Sequence, residues 1–161
     1  MDQSQNFKKT LDFLKEIGIE TAFENVPVEA CFVPGLMIKD GRIVIDQQAL
    51  KYPGDILHEA AHIAVVPAAE RRSLCGAVIK ERKDAPAEEM MAIAWSYAAC
   101  IHLQIDPEFV FHKDGYIGGG ASIIENFGKG NYFGVPVLQW LGMTATSGAS
   151  IYPKMIRWMR D

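Results

Sequence analysis

Cysteine is scarce in this chain. Cys31, Cys75 and Cys100 are the only three, far apart, odd in number and without a C-x-x-C pair. That excludes a disulfide framework and a thiolate-rich zinc site, and the expectation is reduced core thiols in a cytoplasmic protein. Basic runs are missing too: none is longer than a pair, as at Lys8-Lys9 and Arg71-Arg72, and the formal net charge is −4. General affinity for nucleic acid needs a basic face, so that class is set aside. No apolar stretch is long enough to span a membrane, and none is expected to. The opening residues, Met1-Asp2-Gln3-Ser4-Gln5-Asn6, are polar and acidic and do not read as a secretory signal. What remains is an acidic chain of 161 residues, 49% of them hydrophobic. That is enough for one domain over 1–161 with a sizeable core.

Histidine is also rare, with four in the chain, yet two of them fall in His58-Glu59-Ala60-Ala61-His62. This is H-E-x-x-H, flanked by apolar Ile56, Leu57, Ile63, Val65 and Val66. Pro53-Gly54-Asp55 offers a helix start, with Asp55 or Gly54 as N-cap, and Pro67 offers a stop. On a helix, residues four apart share a face, with Cβ atoms about 6 Å apart, so both imidazoles reach one metal ion. Glu59, one step round, reaches a water on that metal rather than the metal itself. Two His ligands and a Glu general base are the metalloprotease arrangement. Apolar flanks predict a buried helix, where His and Glu need partners, and a metal ion supplies one.

The surrounding pattern places this helix. Phe7, Leu11, Leu14 and Ile17 form a helical stripe over about 4–17, closed by Gly18. Thr21–Phe23 and Ala30–Val33 are strand-like. Asp40-Gly41 between two β-prone runs predicts a hairpin whose second strand, Arg42 to Asp46, leads into the motif helix. That strand either pairs with an extended substrate, as sheet edges do, or only covers the helix. Cys75–Ile79 is predicted as a short strand and Lys80–Asp84 as an exposed charged loop. Asp84 or Ala85 then caps a second helix with Pro86 in its first turn. This helix runs through Met90, Met91, Ile93, Trp95, Tyr97, Ala98 and Ile101, apolar on most sides, and is expected to pack, buried, on the motif helix.

Catalytic zinc takes three protein ligands and leaves a position for water. The extended metzincin motif would need Gly at position 65 and His at position 68, where this chain has Val65 and Ala68. A Glu on another helix is the remaining common solution, from Glu70, Glu81, Glu88 and Glu89. Glu70 is too close to the motif and Glu81 lies in the charged loop. Glu88 and Glu89 open the second helix, where the helix dipole by itself favours an acid. Glu89 is preferred, because Ala92 and Ile93 continue its side of the helix toward the expected core, with Glu88 the alternative.

Gly41-Arg42-Ile43-Val44-Ile45-Asp46 ahead of H-E-x-x-H, with E-x-x-A at Glu89-Met90-Met91-Ala92 on a later helix, resembles the small bacterial ImmA/IrrE-type metallopeptidases. The similarity covers roughly residues 35–100 and is gluzincin-like. It departs from that family's pattern after Ala92, with Ile93 and then Ala99-Cys100-Ile101-His102, and no helix-turn-helix segment follows. The resemblance implies Zn2+ held by His58, His62 and Glu89, with Glu59 as base. It implies an α+β, zincin-like fold: a small sheet with a hairpin packed on the H-E-x-x-H helix and a second buried helix.

Beyond Asp106 glycines and aromatics interleave, predicting a loop-rich C-terminal lobe packed around Val135–Leu141. Gly118-Gly119-Gly120 lacks the Lys of a phosphate-binding loop, so tight turns are preferred for it. Ile151–Arg160 reads as a terminal helix with Pro153 in its first turn. Tyr116 and Tyr132 are candidate donors to a tetrahedral oxyanion. His102 and His112 are read as structural. The leading expectation is a zinc-dependent hydrolase of peptide or amide bonds acting on a peptide or protein substrate. The rivals are a non-catalytic metal-binding regulatory or interaction protein on the same fold, and a metal-free structural protein.

Overall fold

The computed structural model describes residues 3–27, 29 and 33–161, in an α+β arrangement with a small mixed sheet and several helices. Helix α1 spans Gln3–Glu16, as its periodicity predicts, but its stripe is rotated. Asn6, Thr10, Phe13 and Leu14 are buried, while Phe7, Leu11 and Ile17 only lean on the core. Thr10 satisfies its hydroxyl within the helix by donating to the Asn6 carbonyl at 2.9 Å, which lets a polar residue face inward.

Strands β1 (Thr21–Phe23), β2 (Leu36–Lys39) and β3 (Arg42–Ile45) form a sheet in the order β1-β3-β2. The predicted hairpin is β2–β3, antiparallel, with Lys39 opposite Arg42. Asp40 (φ 54°) and Gly41 (φ 73°) both take positive φ, as a two-residue primed turn requires. β3 is also paired with β1, in parallel, so both of its edges are taken. That removes the substrate-pairing role for Arg42–Asp46, and β3 instead buries Ile43, Val44 and Ile45 completely. Of the other strand-like stretch, residues 30–32 and with them Cys31 lie outside the described residues, while Val33 bridges back to Leu36.

The motif helix α2 (Asp55–Ala64) buries Ile56, Leu57, Ala60, Ala61, Ile63 and Ala64 against the sheet and the long helix α4 (Ala85–Leu103). α4 is buried throughout Met91–Cys100, which is why its sequence shows apolar residues on nearly every side. Alanines at 60, 61, 92, 94, 98 and 99, none exposed, line the packed helices with small side chains. Gly54 sets where α2 begins: a Cβ there would lie 1.7 Å from the Phe109 carbonyl oxygen. Gly54→Ala is therefore expected to push α2 off the 107–110 turn and to cost about 1–3 kcal/mol or more, as overpacking does. A urea midpoint equal to wild type would contradict this.

Between α2 and α4 the chain departs from expectation. Residues Ala68–Ser73 form a 3-10 run, and α3 (Gly76–Ile79) is one helical turn where a short strand was predicted. The amides of Val78 and Ile79 turn back to the Cys75 carbonyl, and among the described residues they pair with no strand. Nor is Lys80–Asp84 wholly exposed, since the Arg82 side chain is folded in, 15% exposed, between Glu70 and Glu88.

The C-terminal third carries α5 (Gly120–Gly128) and α6 (Val135–Trp140) among turns. The glycines before α5 serve turns and packing, for a Cβ on Gly120 would sit 2.4 Å from the Phe111 carbonyl. The predicted terminal helix is absent. Residues 151–161 run as an irregular strap whose hydrogen bonds go to other elements. Ile156 N–H donates to the Met143 carbonyl at 2.8 Å, and the Trp158 carbonyl accepts from the Trp95 indole at 2.8 Å. Arg160 closes the end of α2, its N–H donating to the Ala64 carbonyl at 2.9 Å and its guanidinium to Val65 at 3.2 Å. These are carbonyls a helix end leaves open, and a cation there also suits the helix dipole. Among the described residues no helix is long and apolar enough to cross a membrane.

Candidate metal centre

The two motif histidines stand one turn apart on α2 and turn their rings to the same point. His58 Nε2 lies 3.2 Å from His62 Nε2. From α4, Glu89 brings Oε1 to 3.5 Å of His58 Nε2 and Oε2 to 3.3 Å of His62 Nε2. A zinc ion bound at about 2.0–2.1 Å in tetrahedral geometry has ligand atoms about 3.3–3.4 Å apart. The three edges of this triangle match that spacing, and two imidazole nitrogens with a carboxylate oxygen are a donor set zinc takes. Residues His58, His62 and Glu89 therefore fit a divalent cation; among the described residues they are the one group of three or more such side chains that does.

Glu88 points elsewhere. Its carboxylate, 4% exposed, takes two hydrogen bonds from Arg82 at 2.7 and 2.8 Å. Of the two acids it is Glu88, not Glu89, that lies on the buried side of α4. Glu89 is 45% exposed because it faces a cleft rather than the core.

Burial and mutual contact set the charge preferences of these side chains. Burial works against a charged His58, but its contact with the Glu89 carboxylate prevails and raises it above 6.5. Burial, then the neighbouring His58, pushes His62 down to about 3. Burial also opposes charge on Glu89, yet pairing with His58 holds it below the usual carboxylate value. Glu59, beside His58 on α2, is pushed up to about 7 by burial, against the pull of His58.

All four side chains line one cleft of about 650 Å³. Val33, Pro34, Ile79 and Ala85 give it apolar surface, and Asp55, His112 and Tyr116 also line it. The Asp55–His112 pair was missed from the sequence. Gly54 holds the N-cap position with no side-chain cap bond, so the Asp55 carboxylate is not a cap. It meets His112 Nε2 at 2.8 Å, with both side chains largely buried. The His112 ring stacks on Tyr52 at 3.8 Å and 17°. Burial raises Asp55 above its ordinary value despite His112. A pair separated by 57 residues leaves no local sequence signal. His102, by contrast, packs between Phe13 and Trp158, as a structural histidine would.

The structure separates the two candidate tyrosines. Tyr132 packs on Phe127 and Tyr152, away from the cleft lining. Tyr116 lies edge-on to His58, ring centroids 5.3 Å apart at 82°. It is carried by a left-handed turn, with φ of 54°, 55° and 78° at Tyr116, Ile117 and Gly118. Such a conformation costs a non-glycine residue about 1–3 kcal/mol, and β-branched Ile117 is least suited to it. Compared with protein-family models, curated proteins and solved structures, the chain matches none, so the meaning of the site rests on its own side chains.

Proposed function

We propose that this chain is a zinc-dependent hydrolase of peptide or amide bonds with a zincin-like fold. The observation that supports it is the convergence of His58, His62 and Glu89, with Glu59 beside them in the same cleft. The three converging side chains would hold zinc. When bound, zinc supplies a polarised carbonyl and a water acidified to a pKa of about 7. Glu59 would take a proton from an attacking water as its oxygen adds to the amide carbon. It would then return the proton to the departing nitrogen as the C–N bond breaks. Its place beside His58 on α2, in the same cleft, suits Glu59 to both halves of that transfer. The apolar cleft surface at Val33, Pro34 and Ile79 covers the side chains of a peptide or protein substrate. A cytoplasmic location is part of this proposal, supported by three cysteines that are far apart, odd in number and without a C-x-x-C pair.

The test is metal-dependent turnover. Protein purified without a His tag is expected to bind one zinc per chain and to cleave members of a peptide pool. Cleavage should stop on chelation and return with zinc. Zinc in thousandfold excess over its Kd stabilises a protein that binds it only when folded by about 4 kcal/mol. For a chain this size that raises Tm by about 8–16 °C. No zinc-dependent shift, or no cleavage of any peptide by the loaded protein, would overturn the reading.

A further inference from the structure

We propose that Tyr116 is a catalytic residue whose phenol O–H donates a hydrogen bond to the substrate carbonyl oxygen under attack. It makes the cleft selective for ligands that present an acceptor oxygen between this ring and the histidine pair. The proposal rests on the hydrolytic reading above and adds to it the group that holds the developing oxyanion.

Three observations carry it. The Tyr116 hydroxyl is buried and has no hydrogen-bond partner among the described residues, although its side chain lines the cleft. Buried polar groups are nearly always paired, and an exception in a cleft marks a donor kept for something absent. The ring is placed at the site, edge-on to His58. The turn is also fastened to α2 at two points. Tyr116 packs on His58, and Gly115 lies so close over His112 that a Cβ would sit 3.1 Å from its ring, while His112 is bonded to Asp55. An unfavourable left-handed backbone at Tyr116 and Ile117 is thus clamped in place, fixing the phenol before substrate arrives.

The chemistry is a hydrogen bond without proton transfer. As the water oxygen bonds to the carbonyl carbon, the C=O π pair moves onto oxygen. The O–H···O contact then becomes charge-assisted and strengthens, which is how a preorganised donor lowers the barrier. The phenol keeps its proton throughout. Glu59 carries the proton that does move.

The experiment compares wild type, Tyr116→Phe and Tyr132→Phe, each loaded with cobalt(II), with acetohydroxamate as the probe and the visible spectrum as the readout. Tyr116→Phe is expected to bind cobalt as wild type does and to weaken acetohydroxamate by about 10–100-fold, the loss of one bond to a charged acceptor. Its Tm should be equal or higher, because an unpaired buried hydroxyl is removed while the ring stays. On a peptide that wild type cleaves, kcat should fall about 10²–10³-fold with KM little changed. Tyr132→Phe should leave acetohydroxamate affinity at the wild-type value. Equal affinity in wild type and Tyr116→Phe, or a lowered Tm with affinity unchanged, overturns the proposal and leaves the metal reading standing. No cobalt spectrum in wild type overturns the metal reading and this proposal with it.

Discussion

Glu59→Gln is expected to keep one zinc per chain and to lose about 10²–10⁴-fold in kcat/KM, the usual contribution of a positioned general base. Glutamine preserves the shape and the side-chain oxygen but cannot take a proton from water and hand it to nitrogen. The substitution also removes a carboxyl that burial holds up near 7, so the folded chain no longer has to carry a buried acid beside His58. Metal content and Tm should therefore stay at or above wild type while turnover collapses. Zinc analysis, a thermal melt and kcat/KM on the best-cleaved peptide read the three quantities separately. Activity equal to wild type would remove Glu59 from the chemistry.

The second large effect separates two adjacent acids. Arg82→Met is expected to destabilise the fold by about 3 kcal/mol, the lower end for stripping the partner from a buried charge. Glu88 is 4% exposed and takes both of its short bonds from Arg82. The corresponding fall in Tm is about 6–12 °C. Glu89→Ala, one residue on, should leave the zinc-free Tm close to wild type, because a half-exposed side chain is lost and both histidines can stay neutral. It should abolish the rise in Tm that zinc produces. Urea titration with and without zinc tests both. If Arg82→Met loses zinc binding while Glu89→Ala loses only stability, the two acids have been assigned the wrong way round.

These contrasts mark what could be read from the sequence. The motif helix, the Asp40–Gly41 hairpin and the start of α4 near Pro86 are local events, each signalled by residues within a few positions of one another. Glu89 was the preferred third ligand, but for a reason that failed. Side-chain burial on α4 selects Glu88, and only the position of Arg82 and the cleft reveals which acid faces the histidines. Asp55–His112 and Tyr116 were illegible or undecided because their partners lie far along the chain. Their spacing is set by tertiary packing rather than by any period. Ile151–Arg160 has helix-like composition, yet its backbone N–H groups find better acceptors on Met143 and Ala64. Local propensity yields where packing offers alternatives.

The strap over α2 also sets an order of events in synthesis. Arg160 leaves the ribosome 95 residues after Val65, the residue it seals. Both histidines are therefore in the open long before the last turn of their helix can be fastened. A nascent chain halted short of Trp158 would carry the whole H-E-x-x-H segment with its C-terminal carbonyls unsealed. The helix that carries both histidines is thus sealed only once residue 160 has emerged, long after the histidines themselves.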